Sequence, residues 1–123
     1  MNYAGTKAYL LSQPEAEEDY PFGPEAAVFK IRNKMFGLLM ESKGKARINL
    51  KCDPDEALAL RDIFPAITAG YRMNKKHWNT VQLDGSVPSG EIERMIDNSY
   101  MLVINGMPRA QRPLLTNNKK KLI

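Results

Sequence analysis

Arg72-Met-Asn-Lys-Lys-His-Trp78 brings three cations, the chain's single histidine and its single tryptophan into seven residues. Guanidinium and ammonium groups hold phosphate oxygens, and a flat indole beside them can stack on a base or a sugar. Arg72, Asn74, Lys75, Lys76, His77 and Trp78 are therefore the first candidates for a nucleic-acid contact. The same residues also suit a loop whose Trp78 plugs the core while its lysines sit in water. His77 could act as a general base or a pH-sensitive contact, or simply as a hydrogen-bonded structural side chain. With one histidine and one cysteine in the chain, no zinc set is expected.

Other reactive side chains have local explanations. Cys52 ends an apolar strand face just before a helix start, a position that can lower a thiol pKa. The strand phase points it inward with Ile48 and Leu50, so an inert, buried thiol is expected. Asp53, Asp55 and Glu56 are helix-start residues, Glu91 and Glu93 lie in another helix's first turn, and Asp84 belongs to a turn. Asp97 and Tyr100, about one helical turn apart, could join a polar cluster with Lys75 or His77. No phosphate-binding glycine loop and no serine elbow is present, so no catalytic residues and no cofactor are expected.

A second set of cations lies along short apolar runs. Val28–Ile31, Lys34–Met40 and Ala46–Lys51 are joined by Arg32-Asn33 and by Glu41-Ser-Lys-Gly-Lys45, which reads as an antiparallel meander. In the third run Ala46, Ile48, Leu50 and Cys52 face one way, and Arg47, Asn49 and Lys51 the other. Lys34, Arg47 and Lys51 would thus extend a basic surface from the loop. The hairpin tips Arg32-Asn33-Lys34 and Lys43-Gly44-Lys45 should lie at opposite ends of the sheet. Gly37 inside the second run implies a bulge or a close backbone contact.

Helices frame these strands. Tyr3 to Ser12 holds mostly helix formers and stops before Gln13-Pro14. Glu15 to Glu25, with Pro21, Gly23 and Pro24, reads as irregular and pinned by Tyr20 and Phe22. Asp53 can cap a helix with Pro54 at its first position, and Glu56 completes a capping-box spacing. That helix should end at Ile63 or Phe64, burying Ala57, Leu60, Ile63 and Phe64. Short strands follow near 66–69 and 80–83. A last helix opens at Pro88-Ser-Gly-Glu91, with Ile92, Met95, Ile96, Tyr100 and Val103 on one stripe. The order α-β-β-β-α-β-β-α, with strands too close for parallel crossovers, implies a two-layer α+β domain: an antiparallel sheet of about five strands with helices mainly on one face.

The 123 residues suit one domain, with a frayed basic tail from about 117 containing Lys119–Lys121. The net charge is +4; residues 1–25 hold one cation against five acids, or −4, so the remainder carries +8. A basic body suits a polyanion, and the acidic segment could mask part of it. No apolar run is long enough to span a bilayer, no signal-peptide pattern opens the chain, and the lone cysteine fits a reducing cytoplasm.

Phe22-Gly-Pro-Glu25, Lys34-Met-Phe36, Asn49-Leu-Lys-Cys52, Asn74-Lys-Lys-His-Trp78 with Asn79-Thr-Val81, Leu83-Asp-Gly85 and Asp97-Asn-Ser-Tyr100 resemble, in order, the MmcQ/YjbR-like family of small bacterial proteins. The resemblance covers roughly Pro14 to Val103. It implies an α+β fold and carries a DNA-binding label that derives from a proposed double-wing arrangement. It transfers no catalytic residues.

Two kinds of function follow from these residues. One is non-enzymatic DNA binding, weak and salt-sensitive, mainly through the phosphate backbone. The other is a protein-interaction module, a homodimer or a peptide binder, if the sheet's other face is open and apolar through Phe29, Ile31, Met35 or Phe36, with adaptable methionines such as Met35, Met40 and Met73. A small-ligand or enzymatic site around His77 comes third. What separates the first two is whether cations or large apolar side chains gather on the exposed sheet face.

Overall fold

Three local signals set the framework. Asp53 accepts hydrogen bonds from the Asp55 and Glu56 amides ahead of Pro54, as a helix start requires. Arg32-Asn33 and Lys43-Gly44 all adopt positive φ, the backbone of tight two-residue hairpins. Between these points the computed structural model, which describes residues 1–115, builds α1 (Tyr3–Leu11), β1 (Glu17–Asp19), β2 (Ala26–Ile31), β3 (Lys34–Ser42), β4 (Lys45–Lys51), α2 (Pro54–Ile63), β5 (Ile67–Ala69), β6 (Trp78–Gln82), α3 (Ser89–Asn105) and a short 3-10 turn at Arg109–Gln111.

The sheet is antiparallel throughout, in the order β1-β2-β3-β4-β6-β5. The α+β class read from the sequence holds, with six strands rather than about five. The added strand is β1, inside the segment expected to be irregular. Its three residues carry no apolar alternation; ion pairs hold it instead, with Asp19 on Lys30 at 2.9 Å and neighbouring Glu15 on Arg32 at 2.8 Å. After α2 the chain reaches the sheet edge as β5 and returns beside β4 as β6.

Core packing follows the strand phase. Ala27, Leu39, Ile48, Val81 and Ile67 form one cross-strand row, all buried, beneath the helices. Ile92, Met95, Ile96, Tyr100 and Val103 of α3 are buried as the stripe predicted. Gly37 meets both expectations: the β2–β3 register shifts beside it, and a Cβ there would lie 2.9 Å from Leu10 Cδ2. Where the bulge opens the sheet, buried Ser99 donates to the Phe36 carbonyl and accepts from the Lys51 amide.

Some side chains go elsewhere than expected. Ile63 is 65% exposed at the end of α2, and Phe22 is 73% exposed rather than pinned. Glu56 turns to Arg94 instead of closing a capping box. Asp97 accepts from Tyr9 and from Gln13 of the α1 region, and Tyr100 donates to the Pro14 carbonyl, so neither joins Lys75 or His77. The Lys119–Lys121 tail lies outside the described residues.

Candidate functional site on the helix-free sheet face

Alternation sends the other half of each strand to the face without helices. There Ala26, Met40, Arg47 and Gln82 make one row, and Val28, Leu38, Asn49, Thr80 and Thr68 the next. This face was expected to carry cations, and Arg47 and Lys51 do lie on it. Towards β2 and β3, however, it is apolar.

The segment after β5 folds over this face and hides part of it. Asn49 is fully buried, with its side-chain amide donating to the Tyr71 carbonyl at 3.1 Å. Thr80 Oγ1 accepts from the Tyr71 amide at 2.8 Å and donates to Asn49 Oδ1 at 2.6 Å. This buried polar trio fixes Tyr71 above the sheet. Tyr71 in turn carries two guanidinium groups near its ring: Arg47 lies 4.2 Å from the centroid and Arg72 5.2 Å. Such contacts contribute about 0.5–1 kcal/mol each at exposed sites. Arg72 also holds φ +58°, a conformation uncommon for a non-glycine residue and one that often marks a working position.

Beside this stack a groove of about 570 Å³ runs along β3. Its floor is Ala26, Met35, Leu38 and Met40 of the strands; Tyr71, Arg72 and Met73 of the covering segment line it above, and Phe22 lines it from the turn before β2. Glu25, Glu41 and Ser42 close the end nearest the β3–β4 hairpin. Both alternatives posed by the sequence therefore meet here, an apolar floor beside an arginine wall.

The remaining candidates scatter around this centre. Lys51 and Trp78 are cross-strand partners, half-buried, and share the helix-free face by alternation. Lys34 pairs with buried Ile31, which places it on the helix side of the hairpin tip, apart from Arg47 and Lys51. Asn74 caps the turn by accepting from the Lys76 amide, and Lys76 itself is exposed. Lys75 is tied in: its ammonium donates to the Gly70 carbonyl at 3.0 Å, and its own carbonyl accepts from Arg61. His77 serves through its backbone, donating to Asn74 and accepting from the Cys52 amide. Gly70 is close-packed beneath Trp78, with an added Cβ falling 2.7 Å from Trp78 Cβ.

Cys52 is buried as expected, and desolvation pushes its thiol up to about 11, the opposite of an activated nucleophile. Among the described residues no cluster of histidine, cysteine and carboxylates could hold a metal ion, and no helix is long and apolar enough to cross a membrane. Of the apolar residues expected on the open face, only Met35 lines the groove; Phe29, Ile31 and Phe36 are fully buried in the core. Sequence reading also missed Tyr71, Leu38, Ala26 and the groove role of Phe22. An aromatic directly before Arg72 was the one available signal, since the groove itself depends on which strands pair.

The described residues thus form a two-layer α+β domain whose sheet leaves one face free of helices among them and partly roofed by a loop. The chain belongs to the YjbR family, whose sequence model matches residues 11–102. It is 41% identical over 103 residues to the uncharacterised protein YbdF of Escherichia coli O157:H7, covering 84% of each chain. To the uncharacterised protein YjbR of Escherichia coli K12 it is 32% identical over 107 residues, covering 87% of this chain and 91% of that one. Among solved structures, the Deinococcus radiodurans protein DR2400 superposes with a TM-score of 0.79 at 33% identity, covering 94% of this chain and 83% of that chain. A Pseudomonas syringae protein gives 0.74 at 31% identity, covering 83% of this chain and 98% of that chain.

Proposed function

We propose that the domain is a non-enzymatic nucleic-acid-binding module, with DNA as its ligand, that works through the helix-free sheet face. The observation carrying this reading is the Arg47–Tyr71–Arg72 stack, built on the buried Asn49–Thr80 pair and opening onto the groove. Guanidinium groups fixed in this way suit phosphate oxygens, since little side-chain freedom remains to be lost on binding. Lys51 and Lys76 add charge, and neither makes a side-chain ion pair among the described residues. Lys7, Lys30 and Arg32 pair with Glu18, Asp19 and Glu15, so the acidic segment neutralises the β1 edge, while Arg47 and Arg72 take no part in those pairs.

Four cations engaged with phosphates would give a salt slope of about −3 to −4 in log affinity per log salt for duplex DNA. Fluorescence anisotropy with labelled DNA at two salt concentrations measures that slope. Arg72→Gly and Lys76→Glu should each weaken binding several-fold; unchanged affinity in both would refute the assignment. Lys75 is a poor choice for this test, because its reversal would also release the loop from Gly70.

A protein-interaction role is the second reading. Its support is the methionine-rich floor of Met35 and Met40 with Met73 and exposed Phe22 beside it. Pull-down of a peptide partner that Leu38→Lys abolishes, with no DNA affinity at low salt, would favour it.

A further inference from the structure

A cationic rim needs no apolar groove to hold a phosphate backbone, and an apolar groove cannot hold one. We infer that the groove is a subsite for unpaired bases, so that the domain prefers a single strand to a duplex; the inference rests on the nucleic-acid reading above.

The floor of Ala26, Leu38 and Met40 offers no donor to a phosphate, and desolvating an anion over it is costly. A flat, weakly solvated ring meets no such penalty. The volume of about 570 Å³ admits such a ring, and the exposed aromatics Phe22 and Tyr71 both line the groove. Methionine adapts its shape to aromatic faces, which suits a floor that must take different bases. In a duplex the same rings are stacked and paired and show only their edges, so they cannot lie flat on a floor recessed beside Tyr71.

Charge sets the direction in which the strand lies. Arg47 and Arg72 draw phosphates to the Tyr71 wall, which leaves the bases to lie over the apolar floor beside it.

The test measures oligo-dC and a duplex of matched length by anisotropy at one fixed salt, with wild type, Leu38→Lys and Leu38→Ala. Leu38→Lys adds a cation while filling the groove floor. Oligo-dC should bind about tenfold or more tighter than duplex, and Leu38→Lys should remove that advantage while leaving duplex affinity equal or higher. Leu38→Ala, which only shortens a half-buried side chain, should act in the same direction on the single strand and serves if the lysine variant fails to fold. Equal affinity for duplex and single strand, or tighter binding of both by Leu38→Lys, overturns the groove inference and leaves backbone binding intact. Failure of every oligonucleotide to bind at low salt overturns the nucleic-acid reading and the subsite with it.

Discussion

Thr80→Val probes the buried trio on which the site stands. The substitution nearly preserves shape and removes one hydroxyl that donates to Asn49 Oδ1 at 2.6 Å and accepts from the Tyr71 amide at 2.8 Å. Asn49 is fully buried and Thr80 is 1% exposed, so Asn49 Oδ1 loses its donor with no water to replace it. A buried polar group left unpaired costs roughly 1–3 kcal/mol. The Tyr71 amide lies nearer the surface and recovers part of its loss, so the total comes to about 2–4 kcal/mol. For a domain of this size that lowers the melting temperature by roughly 8–16 °C. Urea unfolding followed by Trp78 fluorescence reads the change, with the m-value unaltered because the fold still buries the same surface. Trp78 also reports on the loop directly, since its carbonyl accepts from the Gly70 amide. DNA affinity should fall in parallel, because Tyr71 and Arg72 lose their anchor. A loss under about 0.5 kcal/mol would refute the claim that this trio holds the loop.

Three further outcomes are expected. Gly70→Ala should destabilise more than Gly37→Ala, because the added methyl meets Trp78 Cβ at 2.7 Å and its carbonyl at 2.9 Å, whereas at Gly37 its one close contact is a side-chain tip, Leu10 Cδ2 at 2.9 Å, with Ile48 and Leu50 at ordinary contact distance; paired urea melts compare them. Burial raises the Cys52 thiol from 9.0 to about 11, so the neutral form favours the fold, and this contribution is complete below pH 9 and disappears as pH rises toward 11. Iodoacetamide should accordingly label Cys52 slowly at pH 8 in the native protein and rapidly in urea. The Arg32 guanidinium, the Tyr20 hydroxyl and the Lys30 ammonium, respectively, hold Glu15, Glu18 and Asp19 below their usual ranges. Their contribution is therefore present above about pH 4.5 and lost as pH falls through the lowered values, which amide exchange in β1 should report as early release of that strand.

Local chemistry made much of the fold legible. The Asp53-Pro54 helix start, the Arg32-Asn33 and Lys43-Gly44 turns, the α3 stripe and the Gly37 irregularity all depend on neighbours within a few residues. Strand β1 was illegible because its reason for being a strand is tertiary, namely ion pairs to β2 and its connecting turn. Ile63 kept helical spacing yet faces solvent because α2 packs chiefly over β5 and β6 through its earlier turns. The site was only half legible. Arg47, Lys51 and Arg72 stood out as cations, but Tyr71 reaches Arg47 only because β6 returns beside β4 and brings Thr80 next to Asn49. Nor could charge alone show that Lys75 serves the loop while Lys34 turns to the helix side.

The most direct test of the binding-face account is a titration of the isotopically labelled domain with a short oligo-dC, followed by amide chemical shifts. The account expects shifts concentrated in Met35–Arg47 and Tyr71–Lys76, with Phe22 included and the solvent side of α3 silent. Shifts confined to α3 and α2, or shifts at the hairpin tips alone with Tyr71 and Leu38 unmoved, would contradict it.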